Sequence, residues 1–260
     1  MKAEMSGDMG EGRQAPGSRA VESRPAWYAP VPGRWHDWVS VLHLPYTAWH
    51  LSYVLIGAGL VPVLSLDRLI ATLLAFGLAV GVAAHGLDEL RGRPLGTSIP
   101  GPLLAAVSSA ALAGAVALGI AGISRVGFGL LGFIGVGAVL VVAYNLELWG
   151  GRLHNDATFA LAWGAFPVLT AYYAQAGTLR LAALFGALFA YGLSSGQRIL
   201  STEARDLRRR TVSVTGEKAR PDGSRSELSR ERLLAPLERA LVALSWSTCA
   251  LGVALVVSRS

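Results

Sequence analysis

Hydrophobic residues in this chain gather into long uninterrupted runs, and polar residues are confined to the stretches between them. A membrane-crossing helix needs about 20 predominantly apolar residues. Seven runs meet that requirement, over 46–64, 69–87, 102–121, 126–146, 157–176, 181–200 and 236–257. The connecting stretches alternate in character. Those at 65–68, 122–125 and 177–180 are short and carry one arginine each, whereas 88–101, 147–156 and 201–235 are longer and hold nearly all the carboxylates. The last of these is also strongly basic. The positive-inside rule then predicts that the N-terminus and the three long loops are cytoplasmic, which leaves the C-terminus outside. The pattern predicts an all-α, polytopic transmembrane helical bundle of about seven spans in a prokaryotic-type cell membrane.

Composition agrees with that reading. Of 260 residues, 52% are hydrophobic and 15% charged, and the mean hydropathy is +0.45. A soluble globule is excluded on these figures. The net charge of +6 comes from the N-terminal arm and the stretch 198–239, not from a compact basic domain. Membrane lipid is therefore the expected partner and nucleic acid is not. A single cysteine, Cys249, excludes an internal disulfide and a thiolate metal cluster.

Residues 1–34, rich in Gly, Pro, Ser, Arg and Glu, read as a disordered cytoplasmic arm. They lack the apolar core of a secretory signal, so the first span is expected to act as its own insertion signal. Trp35, His36, Asp37 and Trp38 follow as an interfacial helix. Small residues crowd the third and fourth spans and predict close helix packing. The tract 216–235 reads as a mobile cytoplasmic loop with a turn at Pro221-Asp222-Gly223, and 236–260 as a final transmembrane helix.

Candidate chemistry collects at one face. His85, Asp88 and Glu89 stand at i, i+3 and i+4 where the second span ends, and Arg91 and Arg93 follow. Glu147, Arg152, His154 and Asp156 lie between the fourth and fifth spans; Glu203, Arg205, Asp206 and Arg208, Arg209, Arg210 follow the sixth. Two readings are open: solvated helix ends, or a shared polar cavity at the cytoplasmic mouth. Ionisable groups at membrane depth need a partner or a ligand, and carboxylates there can hold a hard cation that in turn holds a phosphate.

The run from Asn155 through Gly164, continuing through Val168-Leu169 to Tyr172-Tyr173-Ala174-Gln175-Ala176-Gly177, resembles the fifth-helix region of the UbiA superfamily of intramembrane prenyltransferases. The nearest branch is the menaquinone-pathway 1,4-dihydroxy-2-naphthoate polyprenyltransferases. Asp156 stands in place of that branch's glutamate, and Tyr172, Tyr173, Gln175 and Gly177 match it directly. The family's first motif, Asn-Asp-x-x-Asp, is similar to Ala84-His85-Gly86-Leu87-Asp88, with histidine in place of one aspartate and Glu89 as a substitute acid. Its second motif is similar to Thr202-Glu203-Ala204-Arg205-Asp206, with Arg210 where a last aspartate would fall. The resemblance spans about residues 38–215 and six of the usual nine spans, within a transmembrane domain read at 35–215.

The resemblance implies Mg²⁺-dependent transfer of a prenyl group from a prenyl diphosphate to a small aromatic acceptor within the membrane. On it, Asp88 and Asp206 are the catalytic carboxylates. His85, Asp88, Glu89, Glu203 and Asp206 surround the metal, and Arg91, Arg152, Asp156, Arg205, Tyr172 and Gln175 contact substrate. Tyr144, Trp163, Phe166, Tyr172 and Tyr173 are candidates to line the space around the reacting carbon. Two alternatives stand beside it. His50, His85 and His154, with Asp88, Glu147 and Asp156, supply the donors of an iron or zinc enzyme. The altered motifs and missing helices also fit a non-catalytic isoprenoid-binding relative.

Overall fold

The computed structural model describes residues 34–259, so the arm read at 1–34 lies outside the described residues except for Arg34. After a short helix α1 (Arg34–Val41) come α2 (Leu44–Gly59), α3 (Leu66–Leu90), α4 (Gly101–Val126), α5 (Leu130–Asn145), α6 (156–176), α7 (Leu181–Arg209) and α8 (Arg230–Val257). Each helix from α2 to α8 coincides with one apolar run of the sequence. Three of them, α3, α4 and α8, are long and apolar enough to cross a membrane, and α5 is a shorter apolar helix. The chain is thus mostly helical, with helices of membrane-crossing length and composition among the described residues.

Local chemistry sets the ends. Ser65 opens α3 by accepting a hydrogen bond from the Arg68 N–H, and Asn155 opens α6 by accepting from the Thr158 N–H at 2.9 Å. Ser229 opens α8 six residues before the apolar run begins. The tract expected to be a mobile loop contains a two-stranded hairpin, β1 (Glu217–Ala219) with β2 (Arg225–Glu227), turned at Pro221-Asp222-Gly223. Asp222 Oδ1 accepts from the Ser224 N–H at 2.9 Å and Gly223 adopts a positive φ, which is why that triplet reverses the chain.

Two helices are locally widened to π geometry, α3 over Gly77–Ala84 and α6 over Leu161–Ala165. The second has an identifiable cause. Pro167 has no N–H to give the carbonyl four residues back, and its ring crowds that carbonyl. The carbonyl belongs to Trp163, and it is instead bonded by His50 Nδ1 at 3.0 Å. An imidazole from α2 thus takes up the backbone acceptor that a proline in α6 releases.

Helix α2 is the hub, packed against α6, α8, α3 and α7. Between apolar helices in lipid, close van der Waals contact supplies the association rather than exclusion of water. Gly57 brings the α2 backbone onto α6; a Cβ there would fall 2.3 Å from the Val168 carbonyl oxygen. Gly164 does the same between α6 and α7, where a Cβ would sit 2.6 Å from the Ala190 oxygen. A buried polar chain locks the junction: Trp49 Nε1 donates to Tyr53 Oη at 2.6 Å, and Ser194 Oγ donates to the same oxygen at 2.9 Å.

Candidate functional site at one end of the bundle

A cavity of about 800 Å³ opens at the end of the bundle where α3, α5 and α7 terminate and α6 begins. Its position follows from where the charges fall in each helix: the C-terminal turns of α3 and α7 and the first turn of α6 all carry ionisable residues. Of the residues expected at a site, His85, Asp88, Arg91, Asp156, Glu203, Arg205 and Asp206 line this one space. Asp88 and Asp206 come from segments more than a hundred residues apart in sequence and share its wall.

Three ion pairs occupy part of the charge. Arg198 Nε meets Asp156 Oδ1 at 2.8 Å and ties α7 to the start of α6, while its guanidinium also lies 5.1 Å from the centre of the Phe159 ring. Arg208 Nε bonds Glu238 Oε1 at 3.0 Å and ties α7 to α8. Arg91 reaches Glu147 at 3.5 Å on an exposed surface, where such a pair contributes little. Among the described residues, Asp88, Glu203 and Asp206 make no ion pair or hydrogen bond through their side chains. On the same wall Arg198, Arg205 and Arg209 recur at i, i+7 and i+11 and so share one face of α7.

Histidines and aromatic rings form the inner part. The rings of His43 and His85 lie 4.6 Å apart. Burial, and then the facing His85, hold His43 well below its ordinary value, so it is neutral. Tyr144 stacks on His154 at 4.5 Å and meets Trp163 edge-on at 5.7 Å. Trp163 and Val80 also belong to a second, apolar cavity of about 450 Å³ between α3, α4, α5 and α6. That groove runs along α3 from Val80 to Asp67, about 20 Å at the usual helical rise. Both shared residues sit in the π-widened segments, so the two cavities meet where α3 and α6 are distorted.

Four expected residues lie elsewhere. Glu89 is fully buried and its carboxylate is turned into the loop after α3, accepting from the Leu95 and Thr97 N–H groups and from the Thr97 hydroxyl. It caps a loop and does not face the cavity. Tyr172 is buried against Val61 and Ala183. Gln175 closes the other end of the bundle, where its side chain accepts from the Ser65 N–H at 2.8 Å and donates to the Ser65 carbonyl. Sixteen residues of helix separate Phe159, at the cavity, from Gln175, or about 24 Å. Arg152 sits in the turn before α6 and does not line the cavity. Tyr173 packs on Phe133 at 4.9 Å, while Phe166 lines the apolar groove.

Comparison with protein families, curated proteins and solved structures finds no match.

Sequence reasoning passed over Arg198 and Gln197 as site residues. Arg198 had a signal: a guanidinium inside the apolar run 181–200 has to find a partner. Gln197, uncharged in the same run, had none.

For metals, no three His, Cys, Asp or Glu side chains among the described residues converge closely enough to form a ligand cluster. Iron and zinc sites take three or more protein ligands, usually with imidazole. Magnesium differs, since it is commonly held by one or two carboxylates with water and substrate phosphate completing the shell. Asp88, Glu203 and Asp206 line the cavity without an ion pair or side-chain hydrogen bond among the described residues, and one or two of them are the donor type that second arrangement uses.

Proposed function

We propose that the chain is a UbiA-type intramembrane prenyltransferase, which moves a prenyl group from a prenyl diphosphate to a small aromatic acceptor. One observation carries the reading: an arginine-bearing polar cavity shares a wall, Val80 and Trp163, with an apolar groove about 20 Å long. An amphiphile with a compact anionic head and an apolar chain matches that pairing, with the head on Arg205 and Arg209 and the chain in the groove.

In the reaction the carbon–oxygen bond to the diphosphate breaks, and the diphosphate departs with the electron pair. The prenyl carbon bonds the acceptor, which loses a proton. Arg205 and Arg209 bind the head and stabilise the charge that grows on it. One or two of the carboxylates of Asp88, Glu203 and Asp206 would hold magnesium together with water and the diphosphate itself, and the ion would supply further neutralisation of that leaving group. Trp163, Tyr144 and Phe159 keep water from the reacting carbon and offer ring faces to positive charge. The reading as an iron or zinc enzyme has less support, because its histidines and carboxylates do not converge.

The test is binding and turnover by the purified chain in lipid nanodiscs. Farnesyl diphosphate should bind at least tenfold tighter than either pyrophosphate or farnesol, and magnesium should strengthen it. Mass spectrometry should then detect prenylated product from a panel of small aromatic acids. Binding without product would support the non-catalytic isoprenoid-binding alternative. Equal affinity for farnesyl diphosphate and pyrophosphate would overturn both.

A further inference from the structure

Histidines apart, six arginines and six carboxylates line the polar cavity, so its wall is charge-neutral. A polyanion would upset that balance, and a diphosphate needs magnesium beside it to fit. Helix α7 keeps the two signs apart. Arg198 and Arg205, at i and i+7, share one face, where the charge of Arg198 opposes that of Arg205. Glu203 and Asp206, at i and i+3, share another, about 120° away around the helix. Neither carboxylate forms an ion pair among the described residues. Arg205 gives one hydrogen bond to Thr202 Oγ1 at 3.2 Å and keeps further N–H groups for a ligand. Across the cavity, Asp88 of α3 interacts with Arg205 and Arg198 through space but pairs directly with neither, so a gap separates α3 from the arginine face.

We infer that the cavity also takes a zwitterionic head of the phosphoethanolamine type, carried by a membrane phospholipid, with its phosphate on Arg198 and Arg205 and its ammonium on Glu203 and Asp206. Such a head adds no net charge and presents one sign to each face of α7. Guanidinium groups bond phosphate oxygens through charge-assisted hydrogen bonds. A primary ammonium has three N–H donors for carboxylate oxygens, whereas a trimethylated one has none. An anionic head, such as that of phosphatidylglycerol, would satisfy the arginines and leave the two carboxylates facing uncharged atoms. The apolar groove joins the cavity at Val80 and Trp163, so an acyl chain of the lipid has a place to lie. The lipid needs neither magnesium nor a reaction partner, and the inference therefore stands apart from the proposed reaction; where both hold, phospholipid and prenyl diphosphate compete for one cavity.

The experiment titrates short-chain phosphatidylethanolamine, phosphatidylcholine and phosphatidylglycerol, and soluble phosphoethanolamine, into the full chain in lauryl maltoside with EDTA, read by native mass spectrometry. Phosphatidylethanolamine should bind about tenfold more tightly than each of the other three. Glu203→Gln combined with Asp206→Asn should abolish its advantage over phosphatidylglycerol, while Arg205→Ala should weaken both lipids by about tenfold. The ranking of lipids by the parent chain needs no variant, so the test stands if a substitution unfolds the protein. Phosphatidylglycerol or phosphatidylcholine bound as tightly as phosphatidylethanolamine, or a preference that survives the double substitution, would overturn the inference. Soluble phosphoethanolamine bound as tightly as the lipid would overturn the phospholipid as its source. Failure of farnesyl diphosphate to bind in magnesium, with the lipid ranking intact, would remove the transferase reading and leave the headgroup site standing.

Discussion

Glu89 separates two accounts of the same motif. If it held metal, its loss would affect magnesium and little else. In the structure its carboxylate instead accepts from the Leu95 N–H at 3.0 Å, the Thr97 N–H at 2.9 Å and the Thr97 hydroxyl at 2.8 Å. Asp37 braces the next residue of the same loop, accepting from the Ser98 N–H and hydroxyl through Oδ2. Glu89→Ala removes all three bonds and leaves two backbone N–H groups unpaired beside a buried void. At about 1–1.5 kcal/mol for each lost bond, with part of the desolvation cost added, the loss is about 3–5 kcal/mol. Glu89→Gln keeps the shape but turns one accepting oxygen into a donor facing an N–H, for about 1–3 kcal/mol. Thermal unfolding in detergent should register the second change as a drop of several degrees, since about 1 kcal/mol shifts a domain of this size by about 2–4 °C. Hydrogen exchange should quicken at Leu95 and Thr97, and magnesium affinity should hold. An unchanged melting temperature together with lost magnesium binding would refute the capping role and return Glu89 to the metal.

Further outcomes follow from other contacts. Arg205→Ala and Arg209→Ala should each weaken pyrophosphate binding about 10- to 100-fold, with a shallower salt dependence, as titration calorimetry at several ionic strengths would show. His50→Ala strips the Trp163 carbonyl of its partner and should cost about 1–3 kcal/mol by thermal unfolding; Pro167→Ala in the same background should recover part of this by restoring the helix's own N–H. Gly164→Val should prevent assembly of α6 on α7, seen as loss of folded monomer on size exclusion, because the Ala190 backbone cannot yield 1 Å or more. His43 faces His85, Arg209, Arg205 and His50 and is held neutral by burial. Its folded pKa lies below the ordinary 6.5, so the unfolded chain takes up the proton first. Stability should be complete above about pH 6.5 and fall as pH drops below it, by at most about 1.4 kcal/mol per pH unit for this group, and His43→Gln should flatten that slope.

The helices were legible in the chain because their causes are local. An apolar run in lipid must satisfy its own backbone hydrogen bonds, and a helix does so within one segment; Ser65, Asn155 and Ser229 mark starts by bonds to residues three positions on. The gathering of charge at helix ends was equally visible, and the cavity formed there. Which of those charges face one another was not written in the pattern, because it depends on helix rotation and on partners far away in sequence. Asp88 and Glu89 are neighbours about 100° apart around α3, and that rotation alone sends one to the cavity and the other into a loop. Tyr172 and Gln175, part of the most specific-looking run of residues, fall at the far end of α6 because a helix rises steadily with every residue. The proline in α6 was plain to read, but its consequence, a free Trp163 carbonyl, is met by His50 from 113 positions away. Only packing could bring that imidazole to it, and only packing put Tyr144 and Gln197 on one cavity.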